Sequence, residues 1–184
     1  MRALRWNVLR AQFPGDAAPE NRAEGGSALC AALSQCQAGD VIEAATDNFT
    51  GTSITGDLLA GMAKNRGVAA LVTDGLVRDI DGIGRVGLPV FCSGVSPNSP
   101  VRKGPGTVGE PITIGGVAVH AGDVVVGDRD GVVVVPRDGL PNILARLQVV
   151  QQAEAALEQK VLQGLESPEF INTVLESDQV RYVD

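Results

Sequence analysis

At 184 residues the chain is long enough for one domain with a sizeable core, and 44% hydrophobic with 20% charged residues is ordinary for a globular protein. A formal net charge of −7 argues against nucleic acid as a main partner, because phosphate binding needs clustered Lys and Arg. Aromatic residues make up 3%, which argues against base-stacking platforms. No run approaches the roughly 20 apolar residues of a membrane span, and the basic start Met1-Arg2-Ala3-Leu4-Arg5-Trp6 lacks the apolar stretch of an export signal.

Residues 1–26 read as irregular: Trp6-Asn7-Val8-Leu9 could end a strand, Pro14-Gly15-Asp16 is a turn, and 21–26 is polar and Gly-rich. Ser27 caps an Ala/Leu segment, 28–37, predicted to be a helix. A turn at Ala38-Gly39-Asp40 leads into a strand over 41–45. Apolar residues at 58, 59, 62 and 63 have helical spacing, with Thr55 or Asp57 as cap and Gly67 as stop. The apolar run 68–73 reads as a strand and Asp74–Asp79 as a turn at its C-terminal end. Another strand covers 88–92. Residues 94–110 read as one long Pro- and Gly-containing loop.

Short strands follow at 111–114, 117–119, 123–127 and 132–135. Asp130-Gly131 between valine runs is a strong hairpin signal. Residues 140–163 read as a long amphipathic helix with Leu144, Leu147, Val150, Leu157 and Val161 on or near one face, stopped by Gly164; a second helix fits 168–175. The expectation is one mixed α/β domain over 1–184, with a β-rich core and C-terminal helices (137–184). Cys30, Cys36 and Cys92 form no C-x-x-C pair, and their odd number suits reduced thiols in a cytoplasmic protein. Cys92, in Pro89-Val90-Phe91-Cys92, reads as a buried small hydrophobe.

The chemistry concentrates in Asp74-Gly75-Leu76-Val77-Arg78-Asp79. Substrate groups in α/β proteins gather at the C-terminal ends of strands. Gly75 permits a tight turn. Arg78 offers a planar guanidinium for a carboxylate or enolate, and Asp79 a hard oxygen for Mg²⁺ or Mn²⁺. The competing reading is a surface pair capping a turn. Asp74 either orients Arg78 or closes the turn, and Asp57 is either a partner of the metal site or a helix cap.

The sole histidine, His120, cannot make a multi-histidine zinc site and reads as structural or exposed. Neither a phosphate-binding Walker loop nor a G-x-S-x-G nucleophile elbow occurs in the sequence.

Three motifs together resemble the RraA-like family: Gly56-Asp57-Leu58-Leu59, the Asp74-Gly75-x-x-Arg78-Asp79 turn, and the Gly115–Pro136 stretch with its Gly122-Asp123-Val124-Val125-Val126 and Asp130-Gly131. That family includes class II 4-hydroxy-4-methyl-2-oxoglutarate (4-carboxy-4-hydroxy-2-oxoadipate) aldolases and regulators of ribonuclease E activity. The likeness covers about residues 14–165.

The resemblance implies a swivelling β/β/α domain and a homotrimer or hexamer with active sites near subunit interfaces. It also implies a divalent cation, Mg²⁺ or Mn²⁺, and a small 2-oxo acid as substrate. By position, Gly56, Asp57, Leu58 and Leu59 correspond to the segment that binds the pyruvyl part, Arg78 to the substrate-binding arginine and Asp79 to the metal ligand. Homologues usually carry several dozen residues before the equivalent of Pro14-Gly15-Asp16, where this sequence has 13, so a shortened front is expected.

The implied reaction is retro-aldol cleavage to pyruvate, with oxaloacetate decarboxylation as a side activity. Its hard step places negative charge on an enolate. A Schiff-base route would need a lysine, and only Lys64, Lys103 and Lys160 are present, none in an apolar strand that would lower its pKa. Metal stabilisation is the expectation. Glu154 and Glu158 either form a solvated face or reach a neighbouring subunit's site. The alternative function is a non-enzymatic regulator of ribonuclease E activity, for which an acidic surface suits a basic partner.

Overall fold

The computed structural model describes residues 25–100, 106–168 and 170–181. The expected strand at 6–9, the turn at 14–16 and Lys103 lie outside these residues. The chain divides into two compact units, Met1–Leu140 and Pro141–Asp184.

The first unit is built from two interleaved parallel sheets. Strands β1 (Val41–Ala44), β3 (Ala70–Thr73) and β5 (Val90–Phe91) form one, in the order β1-β3-β5; β2 (Ser53–Thr55), β4 (Leu76–Val77) and β6 (Gly94–Val95) form the other, in the order β2-β4-β6. The chain steps from a strand of the first sheet to one of the second, then returns through a helix. Helix α2 (Asp57–Asn65) makes the first return and α3 (Ile80–Val86) the second. Parallel pairing requires such crossovers. Two antiparallel hairpins complete the unit: β7 (Ile112–Ile114) with β8 (Val117–Val119), and β9 (Val124–Gly127) with β10 (Val132–Val135).

Helix α1 (Gly25–Gln35) contributes Ala28, Leu29, Ala32 and Leu33 to a core shared with Ala60 and Ala63 of α2, Ile83 of α3, and Ile42, Ala44, Ile54, Leu71 and Val77 of the sheets. The opposite face of β1-β3-β5 packs Val41, Ala70 and Val72 against Val125, with Val124, Val132 and Val134 alongside. Helices on one side and valine-rich hairpins on the other give the β/β/α layering. They also explain why β1 and β3 are buried along their whole length rather than alternating.

The predicted order of elements stands, with corrections. Strands β2 and β4 were not anticipated, and β4 lies inside the segment read as a turn. Each has only two or three residues, too few to show periodicity. Strand β6 falls at the start of the predicted loop. Helix α2 has Gly56 as N-cap with no side-chain cap bond, so neither Thr55 nor Asp57 caps it. Cys92 is exposed rather than buried, because it stands just past the end of β5.

Asp40 and Asp123, each set between a glycine and a valine, are both buried at the entry to a strand. Gly75 is required for close approach: a Cβ there would lie 2.7 Å from Thr46 Cγ2.

In the second unit, α4 runs Leu140–Leu162 and α5 Ile171–Leu175. Gly164, at φ 99°, follows the end of α4 and its N–H donates to the Val161 carbonyl (3.0 Å). None of the residues of α4 is buried, and Glu154 and Glu158 are exposed. Among the described residues no helix is long and apolar enough to cross a membrane.

Candidate active site

The parallel pairing of β2 with β4 places two turns side by side. Strand β2 delivers Gly56 and the first turn of α2, and β4 delivers Arg78 and Asp79. The Arg78 N–H donates to the Thr55 carbonyl (3.0 Å), which ties the two strand ends together.

Arg78 Nε donates to Asp79 Oδ2 at 3.1 Å. Gly56 faces this pair so closely that a Cβ on it would collide with Asp79 Oδ2 and come within 3.0 Å of Arg78 Cγ and 3.1 Å of Arg78 Nε. The structure thus brings together Gly56, Arg78 and Asp79, which are 23 residues apart in sequence at their widest. If the pair is catalytic, Gly56→Ala is expected to fold but to lose about tenfold or more in turnover, because the methyl group must push the Asp79 carboxylate aside by about 1 Å. Kinetics on the variant, beside a thermal melt, check this.

Asp79 adopts a left-handed backbone, φ 58° and ψ 44°, as the N-cap of α3. For a residue with a Cβ that conformation costs about 1 kcal/mol. Its carbonyl accepts the Ile83 N–H (2.9 Å), so the strained residue is built into the start of the helix. The side chains of Arg78 and Asp79 are 30% and 44% exposed, enough to meet a ligand from solvent while remaining anchored.

The other members of the predicted segment diverge. Asp57 turns its carboxylate towards α3: a Cβ on Gly82 would lie 2.6 Å from Asp57 Cβ and 2.7 Å from Cγ. Leu58 is 78% exposed, whereas Leu59 packs on the helical core. The N–H groups of Asp57, Leu58 and Leu59 belong to the first turn of α2, where no intrahelical acceptor exists.

Asp74 does not orient Arg78. Its buried carboxylate accepts from Thr46 N (2.6 Å), Thr46 Oγ1 (2.8 Å) and Asn48 N (3.0 Å), holding the loop after β1. Lys64 Nζ donates to the Gly87 carbonyl (3.1 Å), an exposed bond that ties α2 to the end of α3. His120 is exposed, with Nδ1 3.7 Å from Asp123 Oδ2.

Two residues escaped the sequence reading. Ser99 Oγ accepts from Arg78 Nη1 at 3.0 Å; its one signal was its position between Asn98 and Pro100, where a proline restricts the preceding residue. Glu43 stands fully buried in β1 with Oε2 lacking a partner. Burial, reinforced by the charge of Asp123, pushes its carboxyl up to about 7. An acid inside the apolar run Val41-Ile42-Glu43-Ala44-Ala45 was the available sign.

Among the described residues no three His, Cys, Asp or Glu side chains gather where a metal ion could be held. A closed zinc cage is therefore not formed there. Mg²⁺ is different: it keeps several waters and takes one or two carboxylates. Asp79, half-exposed and with Oδ1 carrying no bond among the described residues, fits such an ion.

The family model described as RraA-like (Aldolase/RraA) matches residues 6–134. The chain belongs to the RraA-like family. The matched span contains Gly56, Arg78, Asp79 and Ser99 and stops before α4. The chain is 35% identical over 134 residues to a protein of Halalkalibacterium halodurans named "Putative 4-hydroxy-4-methyl-2-oxoglutarate aldolase", a match covering 73% of this chain and 64% of that one, just under two thirds of the relative's length.

Among solved structures it is similar to Streptomyces coelicolor RraAS2, described as an unusual member of the RNase ES inhibitor RraA family. The TM-score is 0.72 and the identity 29%, over 87% of this chain and 79% of that chain. It is also similar to the RNA-processing inhibitor RraA from Thermus thermophilis, with TM-score 0.62 and 27% identity, over 73% of this chain and 75% of that chain. The expected swivelling β/β/α architecture is that of these RraA neighbours.

Proposed function

We propose that the protein is a divalent-metal-dependent aldolase that cleaves 4-hydroxy-4-methyl-2-oxoglutarate-type 4-hydroxy-2-oxo acids to pyruvate, with oxaloacetate decarboxylation as a side activity. The observation that carries this reading is the packing of Gly56 against a left-handed Asp79 ion-paired with Arg78. A turn that served only to connect β4 to α3 has no need of a glycine from another turn that leaves room for the Asp79 carboxylate beside Arg78.

In this reading Asp79 holds Mg²⁺ or Mn²⁺. When bound, that ion supplies Lewis-acid stabilisation of the enolate charge. Arg78 binds the anionic 2-oxo acid end of the substrate through the guanidinium edge that its contacts leave open. The N–H groups of Asp57, Leu58 and Leu59 hold the pyruvyl carboxylate at the start of α2, where the helix end favours an anion.

The reading extends to a cytoplasmic homotrimer or hexamer, which light scattering on the purified chain measures. Purified protein with Mg²⁺ is expected to release pyruvate from 4-hydroxy-4-methyl-2-oxoglutarate and, more slowly, from oxaloacetate. EDTA is expected to lower release to background, and added Mg²⁺ or Mn²⁺ to restore it. Full turnover in excess chelator would refute the mechanism.

A second reading, a non-enzymatic regulator of ribonuclease E activity, is supported by the likeness to proteins named as RNA-processing inhibitors. Binding to purified ribonuclease E, measured beside pyruvate release, separates the two.

A further inference from the structure

The segment Ser96-Pro97-Asn98-Ser99-Pro100 crosses the mouth of the Arg78–Asp79 pair and is held there by a dense set of bonds. Ser96 N–H donates to the Val77 carbonyl (3.0 Å), just before Arg78. The Asn98 carbonyl accepts from both Ser53 N (3.0 Å) and Ser53 Oγ (2.6 Å), and Asn98 Nδ2 donates to the Gly51 carbonyl (3.3 Å). Asn98 therefore ties the segment to the start of β2. The two prolines confine the residues before them, Ser96 and Ser99, to extended backbone. The outcome of this bracing is one contact: Ser99 Oγ accepts from Arg78 Nη1 at 3.0 Å.

We infer that Ser99 is a positioning residue that fixes the guanidinium plane of Arg78; the inference rests on the aldolase reading above and deepens it. A guanidinium on a flexible stem held at Nε alone rotates about its last bonds. Held at Nε by Asp79 and at Nη1 by Ser99, it has one orientation. Nη2 then carries no bond among the described residues, so its two N–H donors are left for a ligand. That edge is the one available to an enolate or carboxylate oxygen. The serine spends no acceptor needed elsewhere, and its neutrality leaves the charge of Arg78 to the substrate rather than neutralising it as a second carboxylate would.

The test uses the full chain with Mg²⁺, the variants Ser99→Ala and Ser99→Thr, and two readouts. In steady-state pyruvate release, Ser99→Ala is expected to lose about tenfold in kcat with KM changed by less than about threefold, because orientation matters most as charge develops. Ser99→Thr, which keeps the hydroxyl, is expected to stay within about twofold of the parent. Melting temperatures of all three should coincide.

The second readout is rotation of the Arg78 guanidinium, followed by NMR of protein labelled with ¹⁵N-arginine, the signal assigned through Arg78→Lys. Rotation should accelerate in Ser99→Ala and not in Ser99→Thr. Unchanged rotation in Ser99→Ala, or parental kinetics in that variant, overturns the inference. If the parent releases no pyruvate, the aldolase reading fails by itself, and the rotation measurement still decides whether Ser99 orients Arg78.

Discussion

Asp79→Gly is expected to lower pyruvate release at least about 100-fold while leaving the protein as stable as the parent or more stable by up to about 1 kcal/mol. The two effects come from different parts of the same residue. In the proposed reading the carboxylate is the metal ligand, and it makes one of the two contacts that hold Arg78; glycine removes both. The backbone, at φ 58° and ψ 44°, is a conformation that glycine adopts without the Cβ penalty an L-residue carries. The greater freedom of glycine in the unfolded chain offsets part of that gain.

The lost ion pair subtracts little from stability, because both side chains are substantially open to solvent. Asp79→Asn sharpens the test. It retains the shape and the tolerance of the left-handed region but removes the charge, and its turnover should fall nearly as far. A turn-capping aspartate would give the reverse pattern, with lower melting temperatures and unaffected chemistry. Thermal melts alongside steady-state kinetics for the two variants distinguish these cases, and an Asp79→Gly protein that melts well below its parent yet turns over substrate normally would end the metal-ligand assignment.

Much of this arrangement was legible before any coordinates, and the exceptions have physical reasons. The Val41–Ala44 and Ala70–Thr73 strands announced themselves because both faces are buried, so their apolar runs are continuous. Helix α2 was legible from the spacing of its apolar residues 58, 59, 62 and 63, although the face it turns inward is Leu59, Ala60 and Ala63, with Leu58 and Met62 exposed. Strands β2, β4 and β6 did not, since two or three residues cannot show a period and their pairing is decided by partners far along the chain.

For the site, Arg78 and Asp79 stood out by chemistry, and Gly56 by the family resemblance. What no local pattern could reveal was that Gly56 packs on Asp79, that Asp74 bonds to Thr46 and Asn48 rather than Arg78, or that Ser99 reaches across from a different turn. These contacts join residues 20 or more positions apart; those of Asp74 follow from the register of β1 with β3, and the others from that of β2, β4 and β6. Lys64 illustrates the opposite limit: its helix was foreseen, but its bond to the end of α3 depends on how the two helices pack.

Burial of Glu43 is expected to make stability fall as pH rises from acid to neutral. Its carboxyl, at 1% exposure, faces the valine-lined side of β1, where the negative Asp123 is a further deterrent to ionisation. Asp123 itself is held as an acceptor by the backbone N–H groups of His120 (2.9 Å) and Arg137 (3.1 Å), so it cannot easily rotate away to relieve the repulsion.

In the unfolded chain Glu43 releases its proton near 4.5, whereas in the folded chain it holds it to about 7. Between those values the native state carries more protons than the unfolded state, and stability must fall as pH rises. Below 4.5 there is no penalty, and above about 7 the loss reaches a plateau on the order of 3 kcal/mol.

Glu43→Gln abolishes the titration at nearly constant volume and removes the repulsion of Asp123. Denaturant melts from pH 4.5 to 8 should show the parent losing stability with rising pH and the variant staying nearly level. The two curves should meet at the acid end and separate by about 2–3 kcal/mol at pH 8. Parallel curves would mean that Glu43 is solvated in the native protein, and that the unpartnered oxygen in β1 finds water.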